Sequence, residues 1–305
     1  MTRFDRYEYD GDKRLRYAVL GNGSSATLSM RADKVLPQRL RATEPNFALA
    51  AHRASLHYGA STNLICRTGT MNSMRTIGMI GGMSWESTTE YYRLVNRDVR
   101  TRLGGLNSAQ VLLHSVNFAP IEQLQRDGQW NIAGIRLADA ARHLEAGGAH
   151  CIVLCTNTMH LVAPQIAAAV SVPFLHIVDP TGIEAKKRGI RKVGFIGTAF
   201  SMRESFFRDR LQERHGISTL LPEPAEQAVI HDIIYRELCL GIVNDDSRKL
   251  YRDVLHGLAA RGAEAIVLGC TEIMLLVNEA DSPVPLLDTT TLHARAAVDF
   301  SLAQA

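Results

Sequence analysis

Cysteine is scarce and odd in number, five in 305 residues. A secreted domain stapled by disulfides carries more, in pairs, so this count suits free thiols in a reducing, cytoplasmic compartment. Charge of one sign is missing as well. Against 34 Lys+Arg stand 31 Asp+Glu, and a net of +3 gives no argument for a nucleic-acid or membrane partner. Long apolar runs are absent too. The longest, Ala265 to Val277, is interrupted by Glu272 and falls far short of the ~20 residues of a membrane helix. No stretch has the basic-then-apolar form of a secretory leader. What is present is 46% apolar and 21% charged residues, which excludes a wholly disordered chain. A length near 300 fits one large domain or two medium ones, either able to bury a sizeable core.

The charge divides unevenly. Residues 1–73 carry 11 Lys+Arg and 6 Asp+Glu, whereas residues 74–305 carry 23 and 25. The first segment has no sustained helical or strand period. It reads as a disordered N-terminal extension, or as translated sequence upstream of a start at Met71 or Met74; a functional arm is the alternative. From Met74 the texture changes to a glycine-punctuated apolar strand, Thr76-Ile-Gly-Met-Ile-Gly-Gly-Met83.

Residues 74–305 contain a repeat. Ala146-Gly-Gly-Ala-His-Cys-Ile-Val-Leu154 aligns with Ala260-Arg-Gly-Ala-Glu-Ala-Ile-Val-Leu268 at an offset of 114, with six of nine positions identical. Arg75-Thr-Ile-Gly-Met-Ile-Gly81 matches Arg191-Lys-Val-Gly-Phe-Ile-Gly197 at an offset of 116. Val172-Pro-Phe-Leu has a looser echo in Val284-Pro-Leu-Leu287. Short unbroken runs such as Ile152-Val-Leu154 and Ile266-Val-Leu268 fit strands buried on both faces of a parallel sheet. Amphipathic stretches from Ile132 to Gly148 and from Asp246 to Gly262 precede them, with the glycines as helix caps. Alternating strands and helices predict parallel sheets with right-handed crossovers, and a ligand site beyond the carboxyl ends of the strands.

Cys155-Thr-Asn-Thr158 follows one of those strands and Gly269-Cys-Thr-Glu272 follows the other. The offset of 114 pairs Thr156 with Cys270 and Thr158 with Glu272. With Gly-Gly-Met-Ser-Trp-Glu-Ser-Thr at 81–88, Cys-Thr-Asn-Thr-Met-His at 155–160 and Gly-Cys-Thr-Glu-Ile at 269–273, the chain resembles the aspartate/glutamate racemase superfamily, nearest its broad-specificity branch. The resemblance covers residues 74–305 and none of 1–73. It implies an α/β fold of two pseudo-symmetric α/β/α domains with parallel sheets and an active site in the cleft between them. The implied division is residues 74–188 plus 286–305 for the first domain and 189–285 for the second. The resemblance further implies no pyridoxal phosphate and no metal, a small amino-acid substrate, and a homodimer.

In the usual pattern of that family each strand end carries a cysteine, one per face of the substrate α-carbon. Here Cys270 occupies one slot and Thr156 the other, which makes them the catalytic pair. A one-residue slip would put Cys155 in place of Thr156; strand alternation otherwise turns Cys155 to the opposite face. Asn157, Thr158, Thr271 and Glu272 are expected to open helices whose N–H groups suit a substrate carboxylate and lower the Cys270 pKa. The turn at Met83 and Ser84 is expected to offer backbone N–H groups to the same ligand. Gln125 matches a substrate-binding position of relatives; its neighbour Arg126 is either a cation for a side-chain carboxylate or a solvated surface arginine.

Other readings are weaker. Gly78, Gly81 and Gly82 lack the G-x-G-x-x-G spacing of a dinucleotide loop. Cys151 and Cys155 lack the partners of a zinc site and read as core thiols. Cys66 and Cys239 have no motif around them and read as structural or incidental; His160 and His176 lie near the strand ends as supporting or catalytic groups. The leading function is racemisation of aspartate and/or glutamate by α-proton abstraction and reprotonation. A decarboxylase of substituted malonates within the same superfamily and a catalytically silent amino-acid-binding protein are the alternatives. Fold alone does not choose among them.

Overall fold

The computed structural model describes residues 74–303 and, nearer the N-terminus, four strands: β1 (Phe4–Tyr9), β2 (Arg14–Leu20), β3 (Ser25–Ala26) and β4 (Met30–Arg31). The chain separates into two units at Ser73 and Met74. In the first unit β1 and β2 pair antiparallel, and β3 and β4 each pair with β2. These strands lie in a segment whose sequence shows no sustained strand period. The period was hidden because register shifts between Phe4 and Arg6 and between Glu8 and Tyr9 break the two-residue alternation. The remainder of the expectation for residues 1–73 falls on residues outside those described.

The second unit holds two parallel sheets. One has strands β5 (Ile77–Gly81), β6 (Val111–Ser115), β7 (Cys151–Leu154) and β8 (Phe174–Leu175) in the order β6-β5-β7-β8. The other has β9 (Lys192–Gly197), β10 (Ser218–Leu220), β11 (Ala265–Gly269) and β12 (Leu286–Asp288) in the order β10-β9-β11-β12. Ile77 lies opposite Cys151 in the first sheet and Val193 opposite Ala265 in the second. The two sequence offsets carry one pair onto the other, so the repeat is a repeat of strand register. The central strands β5, β7 and β11 are buried along their whole length, which is why they read as continuous apolar runs.

Parallel strands need crossover helices, and the local sequence starts and stops them. Helix α1 (Trp85–Leu103) is capped by Ser84, whose Oγ accepts from the Ser87 N–H, and has Glu86 in its first turn and Arg100 and Arg102 in its last. Tyr91, Val95 and Val99 recur every fourth residue and face the first sheet. Helices α2 (Phe118–Arg126) and α3 (Trp130–Ala146) connect β6 to β7, and α4 (Ala163–Ala168) precedes β8. In the second half the corresponding helices are α6 (Ala199–Arg203), α7 (Phe206–His215), α8 (Pro224–Arg236), α9 (Asp245–Ala260) and α10 (Ile273–Leu276). Just past α3 and α9, Gly148 and Gly262 take φ values of 95° and 93°, as their predicted capping role requires.

Two helices pack against the sheet of the other half. Helix α5 (Val178–Lys187) follows the first sheet, yet Val178 and Ala185 pack into the core of the second beside Phe195 and Phe207. Helix α11 (Thr289–Leu302) follows the second sheet, yet Ala294, Ala297 and Val298 pack into the core of the first beside Ile77, Met79 and Val95. Strand β12, grouped by sequence with the first domain, pairs with β11 in the second sheet. Each half thus gives its last helix to the other. An apolar helix face specifies that it is buried but not against which sheet; the resemblance places residues 286–305, and with them α11, beside the first sheet, but it leaves α5 there too.

Candidate active site

The carboxyl ends of β5, β7, β9 and β11 converge on one cleft. Met83, Thr156, Asn157, Thr158, Thr198, Gly269, Cys270, Thr271 and Glu272 line it from the strand ends, and Phe118, Gln125, Ile234, Tyr235 and Cys239 from the segments that follow β6 and β10. The turn after β5 is possible because Gly82 takes φ 93°, and a Cβ there would lie 2.1 Å from the Val116 carbonyl oxygen. Its N–H donates to Thr88 Oγ1 at 2.8 Å, tying the turn to α1.

Alternation along β7 settles which residues face the cleft. Cys151, Val153 and Cys155 share the face packed against Tyr91 and Val95, while Thr156 lies among the cleft residues. Burial pushes the Cys151 thiol up to about 12 and the Cys155 thiol higher still, which leaves both as inert core thiols. The Thr156 backbone is held by His160. The buried imidazole accepts from the Ile177 N–H at Nε2 (3.2 Å), so Nδ1 carries the hydrogen and donates to the Thr156 carbonyl at 2.8 Å. Burial, with His176 and His293 nearby, holds its pKa well below the ordinary histidine range.

Glu272 is the hub of the opposite strand end. Oε1 accepts from Ser84 Oγ at 2.7 Å; Oε2 accepts from Cys270 Sγ at 2.9 Å and from Thr271 Oγ1 at 2.8 Å. Cys239 Sγ lies 4.0 Å from Oε1. Burial first, and then the Glu272 charge and the neighbouring Cys239, push the Cys270 thiol well above its usual range. The expected lowering by a helix N-terminus is therefore corrected. The residues after β11 form only one helical turn, α10, and those after β7 form a 3-10 turn, Thr158–Val162. Pro164 explains the latter, since its ring would collide with the His160 carbonyl in a continuous α-helix. Neither turn has the aligned peptides of a strong dipole, and burial together with an adjacent carboxylate outweighs what they supply.

The other predicted residues divide. Thr158 Oγ1 makes a closed hydroxyl triangle with Thr198 Oγ1 (3.0 Å) and Ser201 Oγ (3.1 Å), bonding the first half to the second as Ser84 and Glu272 do on the other side. Asn157 Nδ2 donates to Thr289 Oγ1 at 3.0 Å, but its Oδ1 is buried with no partner. Met83 lines the cleft, whereas Ser84 spends its hydroxyl on the α1 cap and on Glu272. Gln125 is buried, donating to Met159 Sδ and accepting from Tyr235 Oη at 3.4 Å. Arg126 points away; its side chain is 63% exposed and pairs with Glu122.

Sequence reasoning missed Cys239 and Tyr235. Cys239, read as structural or incidental, lies in the cleft beside the Glu272 carboxylate; nothing in its local sequence marks it. Tyr235 could have been found, because it stands after the second strand of its half as Gln125 does in the other, and the two side chains meet.

A match to the Asp/Glu/Hydantoin racemase family spans residues 80–297. The broad-specificity amino-acid racemase of Bacillus subtilis is 24% identical over 233 residues, covering 74% of this chain and 98% of that one. A solved Yersinia pestis structure assigned to the Asp/Glu racemases is 50% identical, with a TM-score of 0.71, over 75% of this chain and all of the other. An aspartate racemase homologue from Pyrococcus horikoshii is 30% identical with a TM-score of 0.67, over the same shares. With the cleft built from the same three motifs, the chain belongs to the Asp/Glu/hydantoin racemase family.

Proposed function

We propose that this protein is an amino-acid racemase that works without a cofactor, with Cys270 and Thr156 as the groups that exchange protons with the substrate α-carbon. The observation that carries the reading is the Cys270–Glu272 hydrogen bond in a cleft whose other strand end presents Thr156. A buried thiol beside a carboxylate has somewhere to send its proton. Transfer to Glu272 leaves a thiolate, and burial makes that thiolate a strong base. The thiolate takes the α-proton, becoming thiol again and leaving the electron pair on the α-carbon. Return of a proton from the same thiol restores the starting enantiomer. Donation from the Thr156 hydroxyl on the other face gives the mirror image; the threonine is reloaded from solvent and Glu272 releases to solvent the proton it took, which restores the starting state.

The remaining cleft groups suit an α-amino acid. The unpartnered Asn157 Oδ1 is an acceptor for an ammonium group, whose positive charge also favours a thiolate nearby. The hydroxyls of Thr158 and Thr198, bonded to each other and to Ser201, can turn from that triangle to donate to the α-carboxylate, whereas the Thr271 hydrogen is held by Glu272. A substituted malonate would bring two carboxylates and no ammonium, leaving that acceptor unanswered. The names of relatives speak of aspartate, glutamate and broad specificity, so aspartate and glutamate belong in any first panel of substrates. The test is incubation of single enantiomers in D2O, followed by mass and chiral analysis. Deuterium at the α-carbon with formation of the opposite enantiomer, both lost in Cys270→Ser, is the expected result. Absence of α-exchange with every amino acid tried would overturn the reading.

A further inference from the structure

Among the described residues one charged side chain, Glu272, lines the cleft, and it is negative. Among the described residues no Lys or Arg borders it; its walls are Met83, Phe118, Ile234, Tyr235, Gln125 and Cys239 away from the strand-end hydroxyls. The cation nearest in sequence, Arg126, is turned to solvent and paired with Glu122. We infer that this end of the cleft selects amino acids with an uncharged side chain and rejects the side-chain carboxylate of aspartate and glutamate. The inference rests on the racemase reading and names its substrate class.

The reason is the cost of burying charge. A carboxylate moved from water into this site would meet no counter-ion and would sit near Glu272, a second negative charge. Another carboxylate adds to the field, for Glu86 stands two residues past Ser84 with a buried Oε2 that has no partner. After burial itself, Glu272 and Glu86 in turn push the Cys239 thiol up, so both charges are felt at the cleft wall. A cationic side chain fits no better. The one lining carboxylate already takes hydrogen bonds from Ser84, Cys270 and Thr271, and its oxygens are spoken for. The wall does match a side chain that is apolar, or tipped by a hydroxyl or amide. Gln125 and Tyr235 give neutral donors and acceptors with only a long 3.4 Å bond between them, while Met83, Phe118 and Ile234 give apolar contact.

The test measures kcat/KM for α-proton exchange in D2O across L-methionine, L-leucine, L-glutamine, L-serine, L-aspartate, L-glutamate and L-lysine. The best uncharged substrate should exceed aspartate and glutamate by about 100-fold, in line with rejection of a group the site cannot pair. Aspartate, glutamate or lysine equal to or above the best uncharged substrate would overturn the inference while leaving the racemase reading intact. No exchange with any member would overturn both. Two variants sharpen the outcome. Gln125→Arg, or Ile234→Lys if the first fails to fold, supplies a cation and should raise the aspartate-to-methionine ratio at least about tenfold. Arg126→Ala should leave that ratio unchanged; a selective loss of aspartate turnover would mean that Arg126 swings into the cleft, against the inference.

Discussion

Replacing Glu272 with glutamine keeps the side chain's shape and removes its charge, so the outcome turns on the hydrogen bonds around it. The amide oxygen can remain toward Cys270 and Thr271, which have only hydrogens to offer, while the amide nitrogen turns to Ser84, whose rotor can reverse and accept. No donor is forced against a donor, so the variant folds. Three bonds to a charged acceptor become neutral ones, and at about 1 kcal/mol lost per bond the fold gives up about 3 kcal/mol. Chemistry and thiol acidity should then move in opposite directions. With the charge gone, the Cys270 pKa falls relative to the unmutated protein, though burial, its largest cause, keeps it raised. A lower pKa means more thiolate at a given pH, so iodoacetamide should alkylate Cys270 faster at about pH 8, read in a Cys239→Ala background to remove the competing thiol. Yet α-proton exchange should slow by about 100- to 10,000-fold, because the thiol has lost the group that receives its proton when substrate is bound. Faster alkylation together with undiminished exchange would refute the reasoning: Glu272 would then only suppress the thiolate, and the proton would leave by another route.

The same geometry sets three further outcomes. Cys270→Ser should lose several orders of magnitude in exchange rate, whereas Cys155→Ala should alter kcat by less than about threefold while costing about 1 kcal/mol of stability in urea titration; reversed behaviour would mean the β7 register is wrong. With one thiol in the cleft pair, the enantiomer whose α-hydrogen faces Cys270 should gain deuterium faster than it inverts; equal retention of configuration during exchange from both enantiomers would count against Thr156 as the weaker partner. Burial lowers the His293 pKa to about 4, so between about 6.5 and about 4 the unfolded chain binds a proton that the folded one does not. Through His293 alone, stability is full above pH 6.5 and declines by about 3 kcal/mol as pH falls to 4, with His160 and His176, lowered in the same direction, adding to the loss; His293→Gln should remove its own share, and a urea midpoint equal at pH 7 and pH 5 would contradict it.

Much of the fold was legible because both sheets are parallel and buried on two faces. Ile152-Val-Leu154 and Ile266-Val-Leu268 carry an unbroken apolar signal, and the spacing between repeated strands reproduces their pairing. That Thr156 rather than Cys155 lines the cleft was legible for a related reason, since strand alternation is a local rule that tertiary packing did not override. Thiol acidity was not legible. It depends first on how deeply Cys270 is buried and then on Glu272 folding back two residues to touch it, neither of which composition encodes. The neutral wall of the cleft was equally hidden, because Gln125 and Arg126 are adjacent in the chain and only helix phase sends one inward and the other to solvent. Strands β1 and β2 were missed because their irregular pairing removes the period by which strands are recognised.

The reciprocal placement of α5 and α11 constrains how a substrate can enter. A bilobed enzyme commonly opens like a pair of jaws, each lobe moving as a rigid body about a hinge. Here such a gape would drag Val178 and Ala185 off one core and Ala294, Ala297 and Val298 off the other, exposing apolar surface on both at once. The His293 ring, which donates to the Leu175 carbonyl and accepts from Tyr91, would be pulled away with them. The two crossed helices act as straps that hold the jaws at fixed distance. Admission then falls to the short pieces around the mouth, α2 with Phe118 and Gln125 and the 3-10 turn Leu238–Leu240 that carries Cys239. Cross-linking α5 to α11 should therefore leave turnover intact, while tethering α2 to the 238–240 turn should abolish it.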